Sequence, residues 1–153
     1  MAAIEVDQFV PRPAEQVWRA LTDPDLLARW LMPNDFKPVV GHLFTFRTEP
    51  VPQHGFDGIV HCQVLAMEPP RLLRLGWRGG TLDTTVTWRL VPEGTGTRFL
   101  ITHDGFDETD PAQQAAMNIL GGGWRGDLVG RLLAVLGSGA GLRGTADRDR
   151  CRE

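Results

Sequence analysis

The sequence predicts an α+β helix-grip fold. In it, a curved antiparallel sheet of six to seven strands wraps around a long C-terminal helix, and two short helices follow the first strand. Three observations lead there. Residues 36–106 carry one stretch after another of strand-like texture, each closed by turn residues. Two proline-led helix starts precede that region, and one long apolar stripe of helical period follows it. An antiparallel sheet must bury one face, and the C-terminal helix is the element long enough to cover it.

The elements follow in order. AIEVDQFV, residues 3–10, alternates loosely and stops at Pro11, as a first strand would. Pro13 fits the first turn of a helix, where its missing N–H does no harm, and Val17, Trp18 and Leu21 follow at helical spacing. Thr22-Asp23-Pro24 joins a capping side chain to a proline and starts a second short helix reaching about Trp30. In HLFTFRTE, Phe44 and Phe46 share one face while Thr45 and Arg47 take the other. GIVHCQVLAM, residues 58–67, is apolar on both faces, which leaves its register open; Pro69-Pro70 ends it. RLLRLGWR brings Leu73, Leu75 and Trp77 together. TLDTTVTWRL alternates most cleanly, with Leu82, Val86, Trp88 and Leu90 opposed to Asp83, Thr85, Thr87 and Arg89. Glu93-Gly94-Thr95-Gly96 reads as a hairpin turn, after which Phe99, Ile101 and His103 are in phase.

Asp110-Pro111 opens the last helix, expected to run to about Leu136. Met117, Leu120, Trp124, Leu128, Leu132 and Val135 form its stripe. Gly121, Gly122, Gly123, Gly126 and Gly130 lie at or inside it, and each interior glycine costs ~1 kcal/mol relative to alanine. Two explanations stay open. Glycine lets the backbone approach or kink and leaves a gap under the sheet, or the triplet breaks the segment and the helix starts near Trp124. The helix-grip domain is expected over residues 1–136, and the patternless, glycine-rich residues 137–153 read as a disordered tail.

Composition excludes several roles. A net charge of −3 with Lys37 as the only lysine argues against a nucleic-acid surface. Cys62 and Cys151 make neither a disulfide framework nor a metal set. MAAIEVDQFV lacks a basic and then apolar leader, and no apolar run approaches the ~20 residues of a membrane span. The expected setting is the cytoplasm, without membrane or nucleic acid as partner, as a monomer or a homodimer.

His103 is the best polar candidate for an inner site. Near the end of a strand, it could serve as a general base from an unperturbed pKa of ~6.5, or sit satisfied by hydrogen bonds. His61 and Cys62 are adjacent in a strand and point to opposite faces, so they form no nucleophile pair or chelate. His42 and His54 fall near turns and are expected to be solvated. DGFDETD, residues 104–110, lacks the ligand spacing of a calcium loop and reads as a solvated loop with Asp110 as helix cap. GGGWRG lacks the Lys-Ser/Thr of a phosphate loop, and no Gly-x-Ser-x-Gly elbow occurs. No catalytic residue, metal site or cofactor is assigned.

One ordered set of segments carries a resemblance: RPAEQVWRALTDPDLLARWLMP, the strand led by Gly41, MEPPRLLRLGW, TTVTWRL, GTGTRFLITHDGF and GGGWRGDLVGRL. Over residues 4–136 the chain resembles the START-like (SRPBCC, birch-pollen-allergen-like) superfamily, in the branch related to the C-terminal domain of the heat-shock-protein-90 ATPase activator. That branch most often has Gly-Gly where this chain has Gly41-His42, and a Glu-Gly-Trp approach to the last helix where this chain has Gly122-Gly123-Trp124. The resemblance implies a ligand space between the concave sheet face and the long helix. The strand and helix phases place Phe44, Phe46, Trp77, Trp88, Phe99, Ile101, His103, Trp124 and Leu128 toward it, with Trp30 and Met32 beside them. Rings with few polar handles suit a hydrophobic or aromatic small molecule. The expected function is non-enzymatic binding of such a molecule, as carrier or sensor. The alternatives are a co-chaperone-like module whose partner is a chaperone of the stress response, and a polyketide cyclase-like enzyme using His103. Superfamily membership does not choose among them.

Overall fold

The computed structural model describes residues 2–136, so the expected tail at 137–153 lies outside the described residues. Six strands form one antiparallel sheet: β1 (Ala2–Val10), β2 (Leu43–Arg47), β3 (Ile59–Glu68), β4 (Leu72–Gly79), β5 (Leu82–Glu93) and β6 (Gly96–Phe106). Their order is β1-β6-β5-β4-β3-β2, a meander whose last strand pairs with the first. Helices α1 (Ala14–Thr22) and α2 (Pro24–Trp30) link β1 to β2, and α3 (Pro111–Arg125) and α4 (Leu128–Leu136) close the described chain. This is the helix-grip architecture, with the C-terminal helix in two pieces.

The cause of that division is local. The helix runs through Gly121, Gly122 and Gly123 without interruption and stops at Gly126, whose extended backbone (φ −63°, ψ 169°) ends the helical hydrogen bonding. The triplet therefore neither breaks the segment nor delays its start.

Capping follows the proline-led signals. Asp23 accepts hydrogen bonds from the N–H groups of Asp25 and Leu26, and Asp110 accepts one from Ala112 at 3.0 Å. Strand β3 owes its two apolar faces to a bulge at Leu65. Before the bulge Val60, Cys62 and Val64 face inward; after it Met67 pairs with buried Leu73. His61 is exposed and Cys62 buried, as opposite faces require. The β5–β6 hairpin turns at Gly94-Thr95, with Gly94 at φ +61°.

The core fills the concave face. Leu73–Trp88–Ile101 and Leu75–Val86–His103 are rows of directly paired residues across β4, β5 and β6, all inward. Helix α1 adds Val17, Ala20 and Leu21, and Trp30 of α2 donates its indole N–H to the Ala20 carbonyl at 2.7 Å. Leu128 and Leu132 of α4 complete this packed half.

Candidate functional site

The other half is not filled. Between α3 and the sheet lies a mainly apolar cavity of about 430 Å³, toward the lower end of the ~300–1,000 Å³ common for small-molecule sites. Its helical wall is Ala112, Ala116, Ile119, Leu120, Gly123 and Trp124. Opposite stand Val60, Trp77 and the Gly79–Leu82 turn, with Leu31 and Met32 after α2 and Thr48, Glu49, Val51 and Phe56 between β2 and β3. Small residues explain the gap. Ala112, Ala116 and Gly123 recur at helical spacing on the face toward the sheet, and their side chains are too short to reach it. Only Gly121 and Trp124 of α3 are buried.

Trp77 and Trp124 form the inner wall, their rings 5.5 Å apart and inclined at 60°. A buried hydrogen-bond chain holds both. The Trp124 indole N–H donates to His103 Nδ1 at 3.0 Å. Because that nitrogen must accept, Nε2 carries the ring proton and donates to Thr84 Oγ1 at 2.8 Å. The Thr84 hydroxyl then donates to the Trp77 carbonyl at 2.8 Å. Burial alone pushes the His103 pKa down from 6.5 to about 3, so the ring is neutral. With both nitrogens engaged and no accessible surface, His103 positions Trp124 and has no free site for proton transfer.

Arg131 of α4 is the cation of the cavity wall. It donates from Nη1 to the Trp30 carbonyl at 3.2 Å and from Nη2 to the Gly123 carbonyl at 2.8 Å. Both acceptors lie in last turns of helices, where backbone dipoles favour positive charge. Its Nε is buried without a hydrogen-bond partner.

The expected ligand-facing set is divided. Met32, Trp77 and Trp124 line the cavity. Trp30, Phe44, Phe46, Trp88, Phe99, Ile101, His103 and Leu128 belong to the packed core instead. Their directions follow the strand and helix phases, but α1, α2 and α4 have closed the space in front of many of them. Phe44 and Phe46 pack edge to face at 5.3 Å, and Trp30 meets Trp88 at 5.6 Å. Thr84 and Arg131 were not expected. Thr84 is in phase with Val86 and Trp88, which was a usable signal; Arg131 sits beside the apolar stripe with nothing local to show what it touches. Ala112, Ala116, Ile119 and Gly123 form a second, thinner stripe at intervals of four, three and four.

Burial raises the pKa of the free Cys62 thiol, with the Asp35 charge adding to it, so the group stays protonated and a poor nucleophile. Among the described residues no group of three His, Cys, Asp or Glu side chains could hold a metal ion. No helix there is long and apolar enough to cross a membrane.

Comparison with known proteins adds the lineage. The family model described as activator of Hsp90 ATPase homolog 1-like protein matches residues 11–137. The chain belongs to this family. The activator-like fold recurs in the protein MLL2253 of Mesorhizobium loti, 33% identical, over 88% of this chain and 93% of that one, at a TM-score of 0.72. BH1534 of Bacillus halodurans is 30% identical over 90% and 98% of the two chains, also at 0.72. The Aha1 dimer of Colwellia psychrerythraea, 19% identical over 81% and 91%, shares the fold at 0.66. A comparison with curated proteins finds no match.

Proposed function

We propose that this activator-like domain binds a small hydrophobic molecule, without catalysing its conversion, in the cavity beneath α3. The observation that carries the reading is a preformed, largely apolar space of about 430 Å³ walled by two indoles and by a helix face of small residues. Filling it would bury apolar surface at roughly 25 cal/mol per Å². His103 acts here by holding Trp124, not by moving protons. The test is a titration with N-phenyl-1-naphthylamine, an uncharged dye that brightens in apolar surroundings. Saturable binding is expected in the native protein, and its loss in Gly123→Phe, whose ring would occupy the cavity. No saturable signal, or unchanged binding in Gly123→Phe, would remove the proposal.

The family description favours a second reading, a chaperone as partner. Such a contact uses the outer surface, so Gly123→Phe should leave it intact. Failure to co-purify with an Hsp90-type chaperone would dismiss it.

A further inference from the structure

We infer that the ligand is an amphipathic anion: an apolar body with one carboxylate-like head seated at Arg131. The inference rests on the cavity reading above and adds the charge of the occupant. The guanidinium lies in the cavity wall, half-buried, and is held at two points by carbonyl groups of α2 and α3. Two of its five N–H groups are thereby used, and the buried Nε–H has no acceptor. Among the described residues no carboxylate comes within 4.0 Å of it; the ion pairs found there join Arg71 to Glu68 and Arg98 to Asp7 and Glu93.

A half-buried guanidinium without a counter-ion lacks part of its hydration and gains most from a charged acceptor. Glu49, the other charged group in the wall, is exposed and keeps its water, so it asks for no cationic ligand. The arginine fork is already fixed in place, which lowers the entropy lost when an anion binds. Trp77, Trp124 and the small residues of α3 then accommodate the apolar body.

The test compares two dyes with the same aromatic body, 8-anilinonaphthalene-1-sulfonate and uncharged N-phenyl-1-naphthylamine. The anionic dye should bind the native protein at least ~10-fold more tightly, about 1.4 kcal/mol. Arg131→Met should remove that preference, bringing the ratio of the two dyes' affinities close to one. Since Arg131 also ties α4 to α2 and α3, a measurement on the native protein accompanies the variant. The Arg131 Nε–H resonance should shift with the anionic dye and not with the neutral one. Equal affinities for the two dyes, a preference surviving in Arg131→Met, or an unmoved resonance would overturn the inference and leave the cavity reading standing. Binding of neither dye would defeat both.

Discussion

His103 shows how one buried side chain can be mistaken for chemistry when only its strand phase is known. Inward direction near a strand end fits a general base and a structural group equally well. The partners decide between them. A donor-only indole on Nδ1 and a hydroxyl on Nε2 leave a neutral ring with a positioning role. This has a consequence for stability. In the unfolded chain the ring takes up a proton below pH ~6.5, whereas in the folded protein it does so only near 3. A depressed folded-state pKa means stability is complete above the unfolded value and lost as pH falls toward the folded one. Between pH 6.5 and 4.5, unfolding free energy should drop by up to ~1.4 kcal/mol per pH unit. Urea melts across that range should show the slope in the native protein and a clearly flatter line in His103→Gln.

At the scale of elements, the C-terminal helix answers the question posed by its glycines. They have separate reasons. A Cβ at Gly122 or Gly123 would meet nothing within 4 Å, so neither residue is required by packing inside the protein. A Cβ at Gly126 would press on the Gly122 carbonyl at 3.0 Å, where the neighbour is backbone and cannot readily yield. Gly122→Ala should therefore raise stability by up to ~1 kcal/mol through helix propensity, and Gly126→Ala should lower it. Thermal or urea unfolding of the two variants checks the opposite signs; a loss in Gly122→Ala would contradict this account of α3. Gly123 stands apart because it faces the cavity, where its missing side chain is space left for an occupant. Strand β3 teaches a related lesson. Its period-two pattern blurs because the bulge at Leu65 exchanges the inward and outward positions halfway along.

For the whole molecule, the grip is uneven. Helix α4 seats Leu128 and Leu132 in a core shared with α1, α2 and the sheet, while α3 spans a void and buries two residues of fifteen. Cooperative units with few buried contacts open at lower free energy. Amides of α3 should accordingly exchange with solvent sooner than those of β5 and β6, read by hydrogen exchange with residue resolution. A cavity ligand should slow α3 preferentially, because it supplies the contacts that Ala112, Ala116 and Gly123 do not make. Equal protection of α3 and the central strands without ligand would show the helix to be supported in some other way.

Much of the fold could be read from the chain alone because its signals are local. Asp23-Pro24 and Asp110-Pro111 mark helix starts through hydrogen bonds to residues two or three along, and alternation in β5 sorts inward from outward side chains. Direction toward the interior is a property of phase. Whether the interior is full at that point is a property of packing, set by elements far apart in sequence. Tertiary structure alone decided that Trp88 and Phe99 meet neighbours while Trp77 and Trp124 meet a cavity. It likewise brought Arg131 to the carbonyls of residues 30 and 123. Volume and electrostatic pairing depend on the joint placement of many segments, and no short stretch of this chain encodes either one.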